Sequence, residues 1–177
     1  MSRSFPRQVA EAEHGNVSDL NAAVVTVSDS VAAGDNADRS GEVVTTVLES
    51  LGFSVVSTSV VPDGIDTVAN ELTRLTDVVD LIVTTGGTGL SPRDLTPEGT
   101  RQVIGREIPG LSEAMRADTF GKIPFGMLSR GISGLAGGCV IVNLPGSPRA
   151  VAEGLDVIGP VLVHAVEIAS GDFGDHR

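Results

Sequence analysis

The 177-residue chain is predicted to form one α/β domain, a mostly parallel sheet between layers of helices. Three observations predict it. Short, nearly continuous apolar runs (AAVVTVS after Asn21, DLIVTT, CVIVN) have the pattern of strands covered on both faces. Segments with apolar residues at helical spacing separate the runs, and such alternation implies parallel pairing through right-handed crossovers. The runs end in Gly, Pro, Ser and Asp clusters, the punctuation of strand-to-helix loops. Composition agrees: 41% hydrophobic and 20% charged residues are globular values. A chain of this size buries roughly two-thirds of its unfolded surface without a covalent staple.

Taken in order, residues 1–20 are polar, hold both acids and bases and show no period, so a loosely ordered arm is expected ahead of a domain spanning 21–177. The first strand opens at Asn21. Ser40–Leu51 then places Val43, Val44, Val47, Leu48 and Leu51 on one stripe, with Gly52 in the C′ position of a helix. FSVVSTSVV reads as a second strand, stopped by Pro62-Asp63-Gly64. Ile65, Val68, Leu72 and Leu75 mark a second amphipathic helix. DLIVTT is the third strand and runs straight into Gly86-Gly87-Thr88-Gly89. Thr96-Pro97-Glu98 predicts a helix with Thr96 as N-cap and Pro97 at N1. Pro109 opens a further helix through Phe120. CVIVN is a strand ended by Leu144-Pro145-Gly146, and Ser147-Pro148 repeats the cap signature. The long helical pattern that follows is expected to be interrupted near Gly159-Pro160.

Charge and residue usage exclude several function classes. A net charge of −11 repels nucleic acid and anionic membranes, and five Phe with no Tyr or Trp leave few stacking platforms. One Cys rules out an internal disulfide framework, and Cys139, opening an apolar strand, is expected to be a buried small hydrophobe. His14, His164 and His176 are too widely spaced to suggest a metal cluster, and Met115, Met127 and the phenylalanines are expected to be core or pocket wall. The N-terminus lacks a signal-peptide core, and Val157–Val166 is too short to span a bilayer, so a cytoplasmic protein is expected. The charge is uneven. Residues 92–149 hold seven basic and five acidic side chains, against five and eighteen elsewhere, so an anionic ligand is expected against the middle of the chain.

Ligands of open parallel sheets bind beyond the carboxyl ends of the strands. Four strand exits carry polar or glycine loops: Ser28-Asp29-Ser30, Val61-Pro62-Asp63-Gly64, Gly86–Gly89 running on to Arg93-Asp94, and Asn143–Pro148. The glycine loop lacks both the Walker A lysine and the third glycine of a dinucleotide fingerprint. It retains the capacity to converge several N–H groups on an anion, or to serve simply as a tight turn. Asp63 and Asp94 suit Mg²⁺, which takes one or two carboxylates plus phosphate oxygens; the alternatives are a turn residue and a partner of Arg93. Ser147 opens a helix whose N-terminus favours phosphate, and it also serves as that helix's cap.

These loops resemble the MogA/MoaB-type proteins of molybdenum cofactor biosynthesis, a fold also found as domains of gephyrin and of the plant cofactor-synthesis proteins. The resemblance is carried by Ser28-Asp29-Ser30, Asp38-Arg39-Ser40-Gly41, Val61-Pro62-Asp63-Gly64, TTGGTGLSPRDLTPEGT at 84–100, Leu128-Ser129-Arg130-Gly131 and NLPGSP at 143–148. It covers the chain from about Asn21 to the final helix. Gly99 stands where Ala or Ser is more usual after Thr-Pro-Glu, which weakens that helix start. The resemblance implies a three-layer α/β fold, a homotrimer and a molybdopterin site at the glycine loop. In catalytically active members, ATP and Mg²⁺ adenylylate molybdopterin with release of pyrophosphate, and the two acids tied to that activity match Asp63 and Asp94. Substrate-binding positions are expected at Ser28, Asp29, Ser30, Gly86, Gly87, Thr88, Gly89, Ser91, Arg93, Asn143, Pro145, Gly146, Ser147 and Pro148, with Arg130 as a further phosphate neighbour; the alternative for Arg93 and Arg130 is that each only pairs with a nearby acid. A molybdenum insertase or molybdopterin synthase is the implied partner. The alternative within the family is a MoaB-type protein that binds or scaffolds without catalysis.

Overall fold

The computed structural model describes residues 20–171. Six strands, β1 (Asn21–Val27), β2 (Ser54–Val61), β3 (Leu81–Thr85), β4 (Arg106–Glu107), β5 (Ser133–Ala136) and β6 (Cys139–Leu144), form one sheet in the order β2-β1-β3-β6-β5-β4. The first four in that order are parallel; β5 pairs antiparallel with β6, and β4 with β5. β1, β3 and β6 are buried along nearly their whole length, as continuous apolar runs require, while edge strand β2 alternates exposed and half-buried residues. The antiparallel edge was not legible in the sequence, because Ser133-Gly134-Leu135-Ala136 is too short and too small-sided to show a period.

Helices α1 (Asp29–Ala32), α2 (Arg39–Ser50), α3 (Ile65–Thr76), α4 (Thr96–Arg101), α5 (Pro109–Thr119) and α6 (Pro148–Ser170) cover the sheet, with a 3₁₀ turn at Pro124–Leu128. One core packs Val44, Leu48, Leu155, Ile158 and Leu162 of α2 and α6 against Val24, Leu81 and Val142. The other packs Val68, Leu72 and Leu75 of α3 against Val25, Ile82 and Ile141. These are the outer layers of a three-layer α/β fold.

Three expectations need correction. Leu20, the last residue of the expected arm, is buried, and its carbonyl accepts from Ser54 N–H at 2.8 Å; the rest of that arm lies outside the described residues. Thr96 does not cap α4: Leu95 precedes the helix, and the Thr96 hydroxyl turns back to the glycine loop. Helix α6 continues through Pro160, because that residue lies on the exposed face, where the carbonyl it leaves unpaired meets water. Gly99 has a local reason, since a Cβ there would lie 2.7 Å from Val68 Cβ and 2.8 Å from the Ile65 carbonyl. Only glycine lets α3 and α4 approach that closely.

Candidate functional site

The chain leaves β1 toward β2 on one side of the sheet and leaves β3 toward the other, so the loops beyond the carboxyl ends of these paired strands run apart, the place where such sheets take ligands. The glycine loop leaves β3 there. Gly86 (φ 99°) and Gly87 (φ 63°) are left-handed, and a Cβ would lie 2.2 Å from the Val27 carbonyl at the first and 2.2 Å from Thr96 Oγ1 at the second. The loop therefore sits directly on neighbouring backbone.

Its hydrogen bonding is one-sided. The carbonyls of Gly86, Gly87, Thr88 and Gly89 accept from Thr96 Oγ1 (2.9 Å), Thr96 N–H (3.1 Å), Arg130 N–H (2.8 Å) and Arg130 Nε (2.8 Å). The N–H groups of Gly87, Thr88, Gly89 and Leu90 have no hydrogen-bond partner among the described residues. Four consecutive peptides thus have their carbonyls tied to protein and their donors left over, an arrangement that accepts an anion.

Buried polar side chains hold the loop in place. Asn143, 1% exposed, donates from Nδ2 to Thr84 Oγ1 and Thr100 Oγ1, both at 3.0 Å, and accepts from Ile132 N–H. Thr100 in turn donates to the Thr96 carbonyl. Asn143 therefore acts through its neighbours, tying β6 to α4 and α4 to the loop. The NLPGSP segment touches the loop directly: a Cβ on Gly146 would lie 3.2 Å from Gly86 Cα, and Thr85 Oγ1 donates to the Pro145 carbonyl at 2.7 Å. Ser147 caps α6 by accepting from Ala150 N–H at 3.2 Å.

The two acids flank the loop. Asp63 Oδ1 lies 3.2 Å from where a Cβ on Gly87 would stand, and Asp94 Oδ2 lies 2.8 Å from one on Gly89. Asp63 Oδ2 accepts from Asp29 N–H at 3.0 Å and Asp94 Oδ2 from Ser91 N–H at 2.8 Å. Neither Oδ1 has a hydrogen-bond partner among the described residues. Burial is the main cause that raises the Asp63 pKa, with the charges of Asp29 and Asp94 adding to it. Among the described residues no three His, Cys, Asp or Glu side chains form a metal cluster. Two free carboxylate oxygens beside an anion cradle fit Mg²⁺ shared with phosphate.

The arginines are already engaged. Arg93 grips Asp29, with Nη2 2.6 Å from Oδ2, and reaches the Asp63 carbonyl at 3.2 Å. Asp29 Oδ1 accepts from Asp63 N–H at 3.0 Å, and the Asp29 pKa is lowered chiefly by the hydrogen bond from Arg93. Arg130 pairs with Glu98. Ser28 caps α1 and lies 3.2 Å from Ser30 Oγ.

Beyond the loop opens a cleft of about 580 Å³. Gly87, Thr88, Gly89, Asp94, Asn143, Pro145, Gly146 and Ser147 line it. Ser28, Asp29, Ser30, Asp63, Gly86, Ser91, Arg93 and Pro148 lie outside that lining. The opposite wall comes from α5 and the 3₁₀ turn: Met115, Arg116, Thr119, Ile123, Phe125 and Leu128. Apart from Met115 and the phenylalanines, expected as core or pocket wall, these were missed; the turn Pro124–Leu128 has no period that could announce it.

Residues 23–164 match the family model described as "Probable molybdopterin binding domain". The chain is 32% identical over 158 residues to a molybdopterin adenylyltransferase of Helicobacter pylori, covering 87% of this chain and 90% of that protein. It belongs to the MogA/MoaB-type family of molybdenum cofactor biosynthesis proteins. The molybdopterin biosynthesis enzyme MoaB of Thermus thermophilus superposes with a TM-score of 0.82 at 41% identity, covering 86% of this chain and 97% of the other. The Mog protein of Mycobacterium ulcerans does so at 0.80 and 43%, covering 85% and 99%. Some relatives are far longer. The chain is 39% identical to the Drosophila melanogaster protein cinnamon over 84% of its own length, but spans only 25% of cinnamon and 21% of Dictyostelium discoideum gephyrin. Burial pushes the Cys139 thiol up to about 12, as an inert core position should be. No helix among the described residues is long and apolar enough to cross a membrane.

Proposed function

We propose that the protein binds molybdopterin in the cleft and adenylylates it with ATP, releasing pyrophosphate. The observation that carries this reading is the row of N–H groups at Gly87–Leu90, which have no partner among the described residues and are flanked by Asp63 and Asp94. The terminal phosphate of molybdopterin attacks the α-phosphorus of ATP, the new P–O bond forms as the bond to pyrophosphate breaks, and no protein nucleophile is consumed. The chain has two tasks: to hold two anions at reacting distance and to stabilise charge on the transferring phosphoryl oxygens.

The loop amides serve the second task, since their carbonyls are fixed and they need no reorientation as charge builds. Asp63 and Asp94 would hold Mg²⁺ through their Oδ1 atoms, and when bound the ion supplies charge neutralisation on the triphosphate. The apolar wall of Met115, Ile123 and Phe125 suits the flat pterin. The names of the Helicobacter pylori and Escherichia coli molybdopterin adenylyltransferases, at 32% and 37% identity, support the reading.

The test is pyrophosphate release from the full chain given molybdopterin, ATP and Mg²⁺, with Asp63→Ala alongside. Release by the parent and not by the variant is expected. Molybdopterin binding with no release by the parent would refute adenylyl transfer and place the chain with the non-catalytic binders.

A further inference from the structure

We infer that Arg130 is a positioning residue, anchored by Glu98, that clamps the carbonyl side of the glycine loop and so aims the loop's N–H groups at an anion it does not itself touch. The inference rests on the reading of Gly87–Leu90 as the phosphate site. The backbone N–H of Arg130 donates to the Thr88 carbonyl and its Nε to the Gly89 carbonyl, both at 2.8 Å. Its Nη2 donates to the Asp94 carbonyl and lies 3.4 Å from Glu98 Oε2, while Nη1 donates to Glu98 Oε1. In a trans peptide the carbonyl and the following N–H point in opposite directions. Holding the Thr88 and Gly89 carbonyls therefore directs the Gly89 and Leu90 N–H groups the other way. The bond to the Asp94 carbonyl places the metal-binding acid on the same fixture.

The chemistry needs arginine. A planar guanidinium serves three acceptors in fixed directions, whereas the compact ammonium of lysine does not. Glu98 neutralises its positive charge, and its Nε, both Nη2 donors and one Nη1 donor go to Gly89, Asp94 and Glu98. In sequence Arg130 reads either as a phosphate neighbour or as the partner of a nearby acid; it pairs with Glu98 and donates to the loop carbonyls.

The clamp and the phosphate-ligand readings predict opposite signs. In Glu98→Gln the guanidinium loses its anchor but the site gains positive charge. A clamp then loses anion affinity, and a phosphate ligand gains it. The experiment titrates the full chain with inorganic phosphate and follows the amide NMR resonances of residues 87–90, using the parent, Glu98→Gln and Arg130→Lys. The parent is expected to respond, and both variants to bind about tenfold more weakly, the loss of one or two well-aimed hydrogen bonds. Tighter binding by Glu98→Gln, or parent-like binding by Arg130→Lys, would overturn the clamp, and so would a parent whose loop amides ignore phosphate. Should Glu98→Gln fold poorly, parent-like binding by Arg130→Lys still overturns the clamp. Because the titration needs neither ATP nor turnover, an absence of pyrophosphate release counts against adenylyl transfer and not against the clamp.

Discussion

The two walls of the cleft are built on different principles. One is polar and rigid: the glycine loop, its carbonyls tied to Thr96 and Arg130, backed by buried Asn143 and by the capped start of α6. The other is largely apolar and exposed, with Phe125 at 78% and Leu128 at 46% of full accessibility around the mouth. The first wall orients donors and carboxylates toward charge; the second offers area to a flat ligand. A ligand suited to both has an anionic end and an aromatic end.

Breaking the polar wall has the largest expected effect. Asp94→Asn should lower pyrophosphate release by at least about a hundredfold, several kcal/mol of lost metal-assisted stabilisation, with an unchanged circular dichroism spectrum. Asp63→Asn should do the same without loss of stability. A carboxyl whose folded pKa is raised costs the fold something once ionised, so at pH 7 this variant should melt no lower than the parent.

Gly87→Ala forces a side chain into a left-handed residue and onto Thr96 Oγ1. It should cost about 1–3 kcal/mol in urea unfolding and abolish the phosphate response of the loop. The pH profile is a subtler probe. Burial raises the Asp63 pKa, so in the metal-free protein its carboxyl ionises as pH rises through a value above its ordinary 3.8. A side-chain carboxyl NMR titration without Mg²⁺ should place the midpoint above that value. Arg93→Gln, which removes a nearby positive charge, should move the midpoint further up.

The apolar wall should yield the smallest changes. Phe125→Ser at an exposed position should shift stability by no more than about 0.5 kcal/mol. It should weaken molybdopterin binding about three- to tenfold, measured by equilibrium dialysis, which is the scale of one lost aromatic contact. A stability loss larger than the binding loss would mean that Phe125 belongs to the fold rather than to the cleft.

Much of this molecule was legible in its sequence. Strands β1, β3 and β6 are apolar runs because both their faces are covered, and α2 and α3 show their buried stripe. The glycine loop, Asp63, Asp94 and the Ser147 cap were legible because each is written in adjacent residues with local chemistry. What tertiary structure alone decided is how these residues divide their hydrogen bonds. Thr96 reads as a cap and is a tether; Asn143 lines the cleft and also braces Thr84 and Thr100; Arg93 and Arg130, legible either as phosphate neighbours or as partners of an acid, pair with Asp29 and Glu98. Each partner lies between 10 and 64 positions away in sequence. Local pattern determines which groups a segment carries, but a donor's direction depends on which distant acceptor folding brings within about 3 Å, and no period or spacing encodes that distance.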